Sequence, residues 1–380
     1  MAEIKNLKKA AQRILKAVKK QEKIIIYGDS DSDGVNSVII LNECIKNLGG
    51  KVSSLYFSDR EKEGYGINDK SLNNLKKYAP ALFIALDFGI SNFKEVIRAK
   101  KMGFEIIIID HHEILDKIPE ADIVVDPKQK GDKYPFKYFA TVGIVFRLAN
   151  LLLKDKMTAN LRKDFLELAA LATVADMMPR TDDNEEIIIE GLASLKESWR
   201  PGIQALFGLG SFQSLTLIDQ VNKINSLLNI RDVEEKMPAS FRLLTASDRK
   251  EAGQLVERLL EKSIEKKKKI KEVLKMVEAA AASNKNSIIF EGDSGWELIL
   301  LGFAAAILAQ KYQRPVFLYR KDKTDSQGSI RAPRGYNVVE AMKSCSKCLE
   351  TYGGHAQAAG FRVKNKNLEK FKDCLIEYYE

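Results

Sequence analysis

Residues Glu105-Ile106-Ile107-Ile108-Ile109-Asp110-His111-His112 run through four consecutive isoleucines and stop abruptly on a carboxylate and two imidazoles. A short β-branched run with such a break reads as a fully buried strand, which places Asp-His-His at its carboxyl end. The pattern recurs upstream. Residues 24–27 are followed by Gly28-Asp29-Ser30-Asp31-Ser32-Asp33-Gly34, and residues 82–86 by Asp87-Phe88-Gly89. Two further apolar runs, 52–57 and 123–125, read as strands, and helical spacing at 35–48, 71–78 and 92–101 lies between them. Strands alternating with helices imply a parallel sheet with right-handed crossovers and helices on both faces. Ligands of such sheets bind at the carboxyl ends of the strands, where these acidic and imidazole groups collect.

Several unpaired carboxylates in one place are strongly unfavourable unless cations neutralise them. Oxygen ligands with one or two imidazoles and no sulfur suit Mn²⁺ or Mg²⁺. The Asp-rich loop lacks the later bidentate glutamate of an EF-hand, so its spacing does not match that calcium loop. Only three histidines occur in the chain, and two are His111 and His112.

The composition is that of a globular protein. The 380 residues allow two or three domains, with 45% hydrophobic and 30% charged residues. Lys and Arg number 61 against 52 Asp and Glu, a net +9. The charge is uneven: +6 over residues 1–23, +4 over 261–275 and +5 over 311–334, leaving the remainder acidic. Basic segments beside an acidic region suit a metal site next to a polyanion path. The longest apolar stretch, 298–309, is too short to span a bilayer, and the Lys-rich start does not read as a signal peptide. Four cysteines make no disulfide framework at this length, and Cys345-x-x-Cys348 finds no second pair to complete a zinc set, so a cytoplasmic setting is expected.

Residues 137–260 read as mainly helical, and a long charged helix over 248–283 reads as a solvated strut. A second α/β unit follows, with strands at 287–290 and 316–319 and helices at 298–311 and 338–352. The expected division is a catalytic domain over 1–190, a helical connector over 191–285 and a substrate-binding domain over 286–380.

With these residues in place, the chain resembles the DHH phosphoesterase superfamily. Asp-His-His after a strand, preceded by Asp29-x-Asp31-x-Asp33-Gly34, is similar to its RecJ-type nuclease branch, in a short form without the oligonucleotide-binding fold. Further matches are Arg60 with Gly64-Tyr65-Gly66, Val142-Gly143-Ile144-Val145-Phe146, and Ala172-Thr173-Val174-Ala175-Asp176-Met177-Met178-Pro179. Gly328-Ser329-x-Arg331 and Gly353-Gly354-His355-Ala356-Gln357-Ala358-Ala359-Gly360 resemble the DHH-associated domain. The chain departs from the pattern at Trp296-Glu297-Leu298-Ile299, near 222–230 where an Arg-bearing segment is replaced, and at Asp126, where the family has Asn before Pro.

The resemblance implies a two-metal site with Asp31, Asp33, Asp87, His111 and Asp176 as ligands and Asp87 bridging. Asp29 would be a ligand or would orient the ligands, and His112 would contact the scissile phosphate. Asp176 agrees with this independently, because a carboxylate closing an apolar helical stretch needs a partner. Ser329, Arg331, Gly353, Gly354, His355 and Ala356 would hold the substrate, since glycine lets backbone approach a phosphate and Arg grips one bidentately. The fold implied is a parallel-sheet DHH domain joined by a helical connector to a smaller α/β domain. The activity implied is Mn²⁺- or Mg²⁺-dependent 5′→3′ exonuclease cleavage of single-stranded DNA or RNA, with replication or repair proteins as partners. Two alternatives stay open: a phosphodiesterase for short oligonucleotides, cyclic dinucleotides or phosphoadenosine phosphate, and a silent replication scaffold of the Cdc45 type.

Overall fold

The computed structural model describes the chain except residues 1–2, 58–62, 64, 115–116, 231, 235 and 283–285, and the side chains of 211, 282 and 355. Arg60 and Gly64 of the motifs above therefore lie outside the described residues. The chain forms two compact units, Met1–Leu260 and Glu261–Glu380.

The first unit opens with α1 (Leu7–Lys19), β1 (Ile24–Gly28), α2 (Ser32–Asn47), β2 (Val52–Phe57), α3 (Asp69–Leu75), β3 (Ala81–Leu86), α4 (Phe93–Lys101), β4 (Phe104–Ile109) and β5 (Ile123–Val125). The strands form one parallel sheet in the order β2-β1-β3-β4-β5. Alternate residues feed two cores: Ile24, Ile26, Ile107 and Ile109 face one, while Ile25, Tyr27, Ile106 and Ile108 face the other. Burial on both faces is why these strands are continuously apolar.

Helices α5 (Thr141–Leu153), α6 (Ala159–Ala175), α7 (Asp182–Ser194), α8 (Pro201–Phe207) and α9 (Leu217–Leu228) follow, then a short hairpin of β6 (Val233–Glu234) and β7 (Met237–Pro238), and α10 (Ala239–Leu244). These differ from the expected connector over 191–285. Ile203, Leu206, Val221, Ile224, Leu228 and Leu243 are buried in the same core as the sheet. The helix expected to be a solvated strut, α11 (Arg249–Ala282), buries Leu255, Val256 and Leu259 in that core and Val273 and Val277 in a core of the second unit.

The second unit contains β8 (Ile289–Asp293), α12 (Leu298–Tyr312), β9 (Val316–Lys321), β10 (Asp325–Arg331), α13 (Val338–Ser344), β11 (Leu349–His355), β12 (Ala358–Lys364) and α14 (Leu368–Tyr379). Its mixed sheet runs β11-β12-β10-β9-β8. The helix expected over 338–352 ends at Ser344, and the chain turns into β11, whose glycines pair with β12. Cys345 is bonded to Cys374, tying the end of α13 to α14, while Cys348 stays free. That corrects the expectation of unpaired cysteines; the partner lies 29 residues away, and spacing alone does not reveal connectivity. Among the described residues no helix is long and apolar enough to cross a membrane.

Candidate metal centre

Strand β1 pairs with β2 on one side and β3 on the other, so the crossover from β1 to β2 runs one way along the sheet and that from β2 to β3 runs the other. A crevice forms at the carboxyl ends where that happens. Register fills it with acid: Gly28 pairs with Leu86, Leu86 with Ile109 and Ile109 with Val125. The next residues, Asp29, Asp87, Asp110 and Asp126, therefore form one row along the sheet edge. Backbone bonds continue the ladder one step further, from Asp29 N to Leu86 O (3.2 Å), Asp87 N to Ile109 O (3.0 Å) and Asp110 N to Val125 O (3.1 Å).

The loop after β1 turns directly into α2. Asp31 caps that helix, accepting from Gly34 N at 3.1 Å. Gly34 is required there, because a Cβ would meet the Asp29 backbone at 2.5 Å. Asp33, in the first turn, accepts from Thr141 N (2.7 Å) and Val142 N (2.8 Å) at the start of α5. Asp87, in the left-handed region with φ 69°, accepts from Thr141 Oγ1 at 3.2 Å. Asp176 closes α6 and points back to the same place.

His111 is the meeting point. Its Nε2 lies 3.5 Å from Asp87 Oδ1, 3.5 Å from Asp176 Oδ2 and 3.9 Å from Asp33 Oδ2. Three sets of candidate ligand atoms lie within 4.8 Å of one another: Asp29, Asp31 and Asp87; Asp87, His111 and His112; and Asp33, His111 and Asp176. Asp87 belongs to two sets and so does His111. The structure thus brings all seven sequence-selected residues into one connected cluster.

The electrostatics are those of a site built for positive charge. Asp33 and Asp87 titrate well above the carboxylate range, through burial first and neighbouring carboxylates second. Asp176 is raised to about 6 by burial and by Asp31. Burial and the neighbouring His112 lower His111 to about 4, so it is a neutral imidazole. Among the described residues Asp176 Oδ2 has no hydrogen-bond partner although it is buried. Hard oxygens, a neutral imidazole and a buried unpartnered carboxylate oxygen fit divalent cations.

His112 behaves oppositely. Burial alone would lower it, but the bond to Asp110 outweighs burial and raises it to about 9. Asp110 accepts from Ile90 N, His111 N and His112 N as well as facing His112 Nδ1, and stays ionised below its usual range despite burial. Beside this pair stands Tyr65, whose hydroxyl lies 3.4 Å from His112 Nε2 and donates to Asp87 O at 3.3 Å.

In the second unit the expected substrate residues fall on neighbouring rungs of one sheet. Ser329 pairs with Gly360, which pairs with Gly353; Arg331 pairs with Ala358, which pairs with His355. Nothing stands within 4 Å of where a Gly353 Cβ would be, and Gly354 adopts φ 139°. Arg331 is half-buried, donates to Ile330 O at 2.8 Å and pairs with no carboxylate among the described residues. Ala356 lies in the β11–β12 turn, its carbonyl accepting from Val338 N at 2.9 Å. The His355 backbone belongs to β11, but its side chain lies outside the described residues.

Sequence reading assigned no role to Thr141, Asp110 or Asn229. Thr141 precedes the quoted Val142–Phe146 match, and Asp110 opens the Asp-His-His string itself, so both were within sight. Asn229, whose Oδ1 accepts from Ser32 N at 3.1 Å, sits in the segment that departs from the family pattern.

Comparison with known proteins agrees with this architecture. Residues 23–173 match the model of the DHH family, N-terminal domain, and residues 284–380 that of the DHHA1 domain. The single-stranded-DNA-specific exonuclease RecJ of Bacillus subtilis is 34% identical, the match covering 99% of this chain and 48% of the relative. That of Thermus thermophilus is 28% identical over 99% of this chain and 54% of its own length. The chain thus spans about half the length of these relatives. A crystal structure of exonuclease RecJ bound to manganese superposes with a TM-score of 0.84 at 26% identity, covering 99% of this chain and 95% of that one. Sheet-edge cluster, second-unit sheet and these matches together identify a DHH N-terminal domain followed by a DHHA1 domain in this chain.

Proposed function

We propose that this protein is a divalent-metal-dependent phosphodiesterase that removes nucleotides from single-stranded DNA or RNA, starting from the 5′ end. One observation carries the reading: seven acidic and imidazole side chains form three overlapping sets whose candidate ligand atoms lie within 4.8 Å of one another, and the shared members are Asp87 and His111. The names of the relatives, single-stranded-DNA-specific exonucleases, support the substrate class. Manganese in the similar RecJ structure supports Mn²⁺, with Mg²⁺ as the alternative ion.

Asp31, Asp33, Asp87, His111 and Asp176 would hold two ions, with Asp29 completing or orienting the set. Ions so held supply an activated water and stabilise the charge that develops on the phosphoryl oxygens. The chain's own groups do the rest. Main-chain donors of α5 keep Asp33 aimed, and Thr141 keeps Asp87 aimed. His112, held cationic by Asp110, donates toward a phosphoryl oxygen in this reading. Ser329, Arg331, Gly353, Gly354, His355 and Ala356 would bind backbone phosphates, which carry affinity without sequence preference. In this reading the protein works beside replication or repair proteins that expose single strands. A cytoplasmic setting follows from that role alone, since the Cys345–Cys374 bond removes the support that unpaired cysteines would give.

End-labelled single strands of graded length, incubated with Mn²⁺, with Mg²⁺ or with EDTA, test the reading. Mononucleotides released from long strands support it. Turnover confined to two- to five-mers replaces it with the short-oligonucleotide alternative, and no turnover with either metal replaces it with the scaffold.

A further inference from the structure

Helix α6 ends on Asp176, and the following residue, Met177, adopts φ 53°. Met177 N bonds to Val174 O and Met178 N to Thr173 O, each at 3.2 Å, which closes the helix. Glycine is the usual residue at such a left-handed closing position, because a Cβ there is sterically costly. Burial does not repay the cost. Met177 is 88% exposed, the most exposed large apolar side chain among the described residues. Its neighbour Met178 packs against the core instead.

The turn is also held in place. Fully buried Asn184 donates to Tyr138 O at 2.7 Å and Pro179 O at 2.9 Å, pinning the residues just beyond Met177 to the segment that leads into α5. A bulky apolar residue is thus kept in a strained conformation, facing water, one residue from a carboxylate 3.5 Å from His111. Strain of this kind persists where the surrounding structure over-determines it, often at ligand sites.

We propose that Met177 is a specificity-determining residue that packs against the base of the nucleotide whose phosphate occupies the cluster. The inference rests on the phosphodiesterase reading above. A flexible, polarizable thioether accepts the flat face of any base, so the contact favours nucleotides over other phosphoesters without selecting a sequence.

The test compares wild type, Met177→Gly and Met177→Leu with Mn²⁺ on two strands, oligothymidylate and the same strand carrying an abasic 5′-terminal nucleotide. Wild type is expected to prefer the base-bearing strand by roughly five- to tenfold in kcat/KM, the scale of burying one apolar side chain against a ring. Met177→Gly is expected to erase that preference without lowering Tm, and Met177→Leu to keep it. Met177→Gly retaining the preference, or losing the same factor on both strands, would overturn the proposal while leaving the phosphodiesterase reading intact. Wild type cleaving neither strand would sink that reading and this inference with it.

Discussion

His112 Nδ1 lies 2.7 Å from Asp110 Oδ1, and Asp110 itself is clamped by main-chain donors from Ile90, His111 and His112. The first residue of Asp-His-His thus orients the last and keeps it charged, while the middle one turns to the acidic cluster. Asp110→Asn should leave Mn²⁺ binding near wild type and reduce kcat by ~10- to 100-fold, the usual scale for a partner that orients a working group. The pH profile supplies the sharper check. His112 titrates at about 9 with Asp110 in place. Without that carboxylate it should fall to its ordinary ~6.5 or below, since burial still lowers it, so the variant should lose activity on going from pH 6.5 to 8 while wild type holds. Parallel profiles would contradict the pairing.

Mn²⁺ affinity should fall in acid. Asp176 is raised to about 6, and Asp33 and Asp87 are also raised well above the carboxylate range, by burial and then by neighbouring carboxylates. Each must give up its proton before it ligates, so binding is favoured above these pKa values and opposed below them. Titration calorimetry should show affinity weakening by at least roughly tenfold between pH 7.5 and 5 from Asp176 alone. A flat profile would remove these carboxylates from the ligand set.

Thr141→Val removes the hydroxyl that bonds Asp87 but leaves the main-chain bonds to Asp33. One lost hydrogen bond of ~1 kcal/mol predicts a roughly fivefold weaker Mn²⁺ site. Tm should change little beyond that same bond. Unchanged affinity would mean that Asp87 is aimed by something else.

Arg200 tests the fold apart from the site. Its guanidinium, 2% exposed, donates to both oxygens of buried Asp164 at 2.6 Å, to Glu43 and to Leu244 O. Arg200→Ala leaves Asp164 buried and unpaired, which predicts a loss of ~3–5 kcal/mol in unfolding free energy. Denaturant unfolding measures it, and a loss below about 1 kcal/mol would contradict the burial of this pair.

The sheet and the cluster were legible because each Ile-rich strand ends abruptly on Asp or His, and a parallel sheet places those ends side by side. Asp176 was legible for a related reason, a lone carboxylate after an apolar helix. The second unit was not. Strands β10, β11 and β12 are rich in Gly, Ala and polar residues, so Ser329 and Gly353 lie in strands without an alternating apolar signature. Helical spacing after Val338 carried the reading past Ser344 into β11. Residues 191–285 read as a helical connector; only the three-dimensional core shows Ile224 and Leu243 packed with the sheet. Asp110 was overlooked because its role is to hold another side chain, and spacing does not distinguish a ligand from the group that orients one.

The central claim is that the cluster around His111 and Asp87 hydrolyses phosphodiesters with divalent metal. The most direct measurement is release of mononucleotides from a labelled single-stranded oligonucleotide by wild type and Asp87→Ala, each with Mn²⁺ and with EDTA. Release by wild type with Mn²⁺ alone, and none by Asp87→Ala under either condition, is the predicted result. Release in EDTA, or undiminished release by Asp87→Ala, would contradict it.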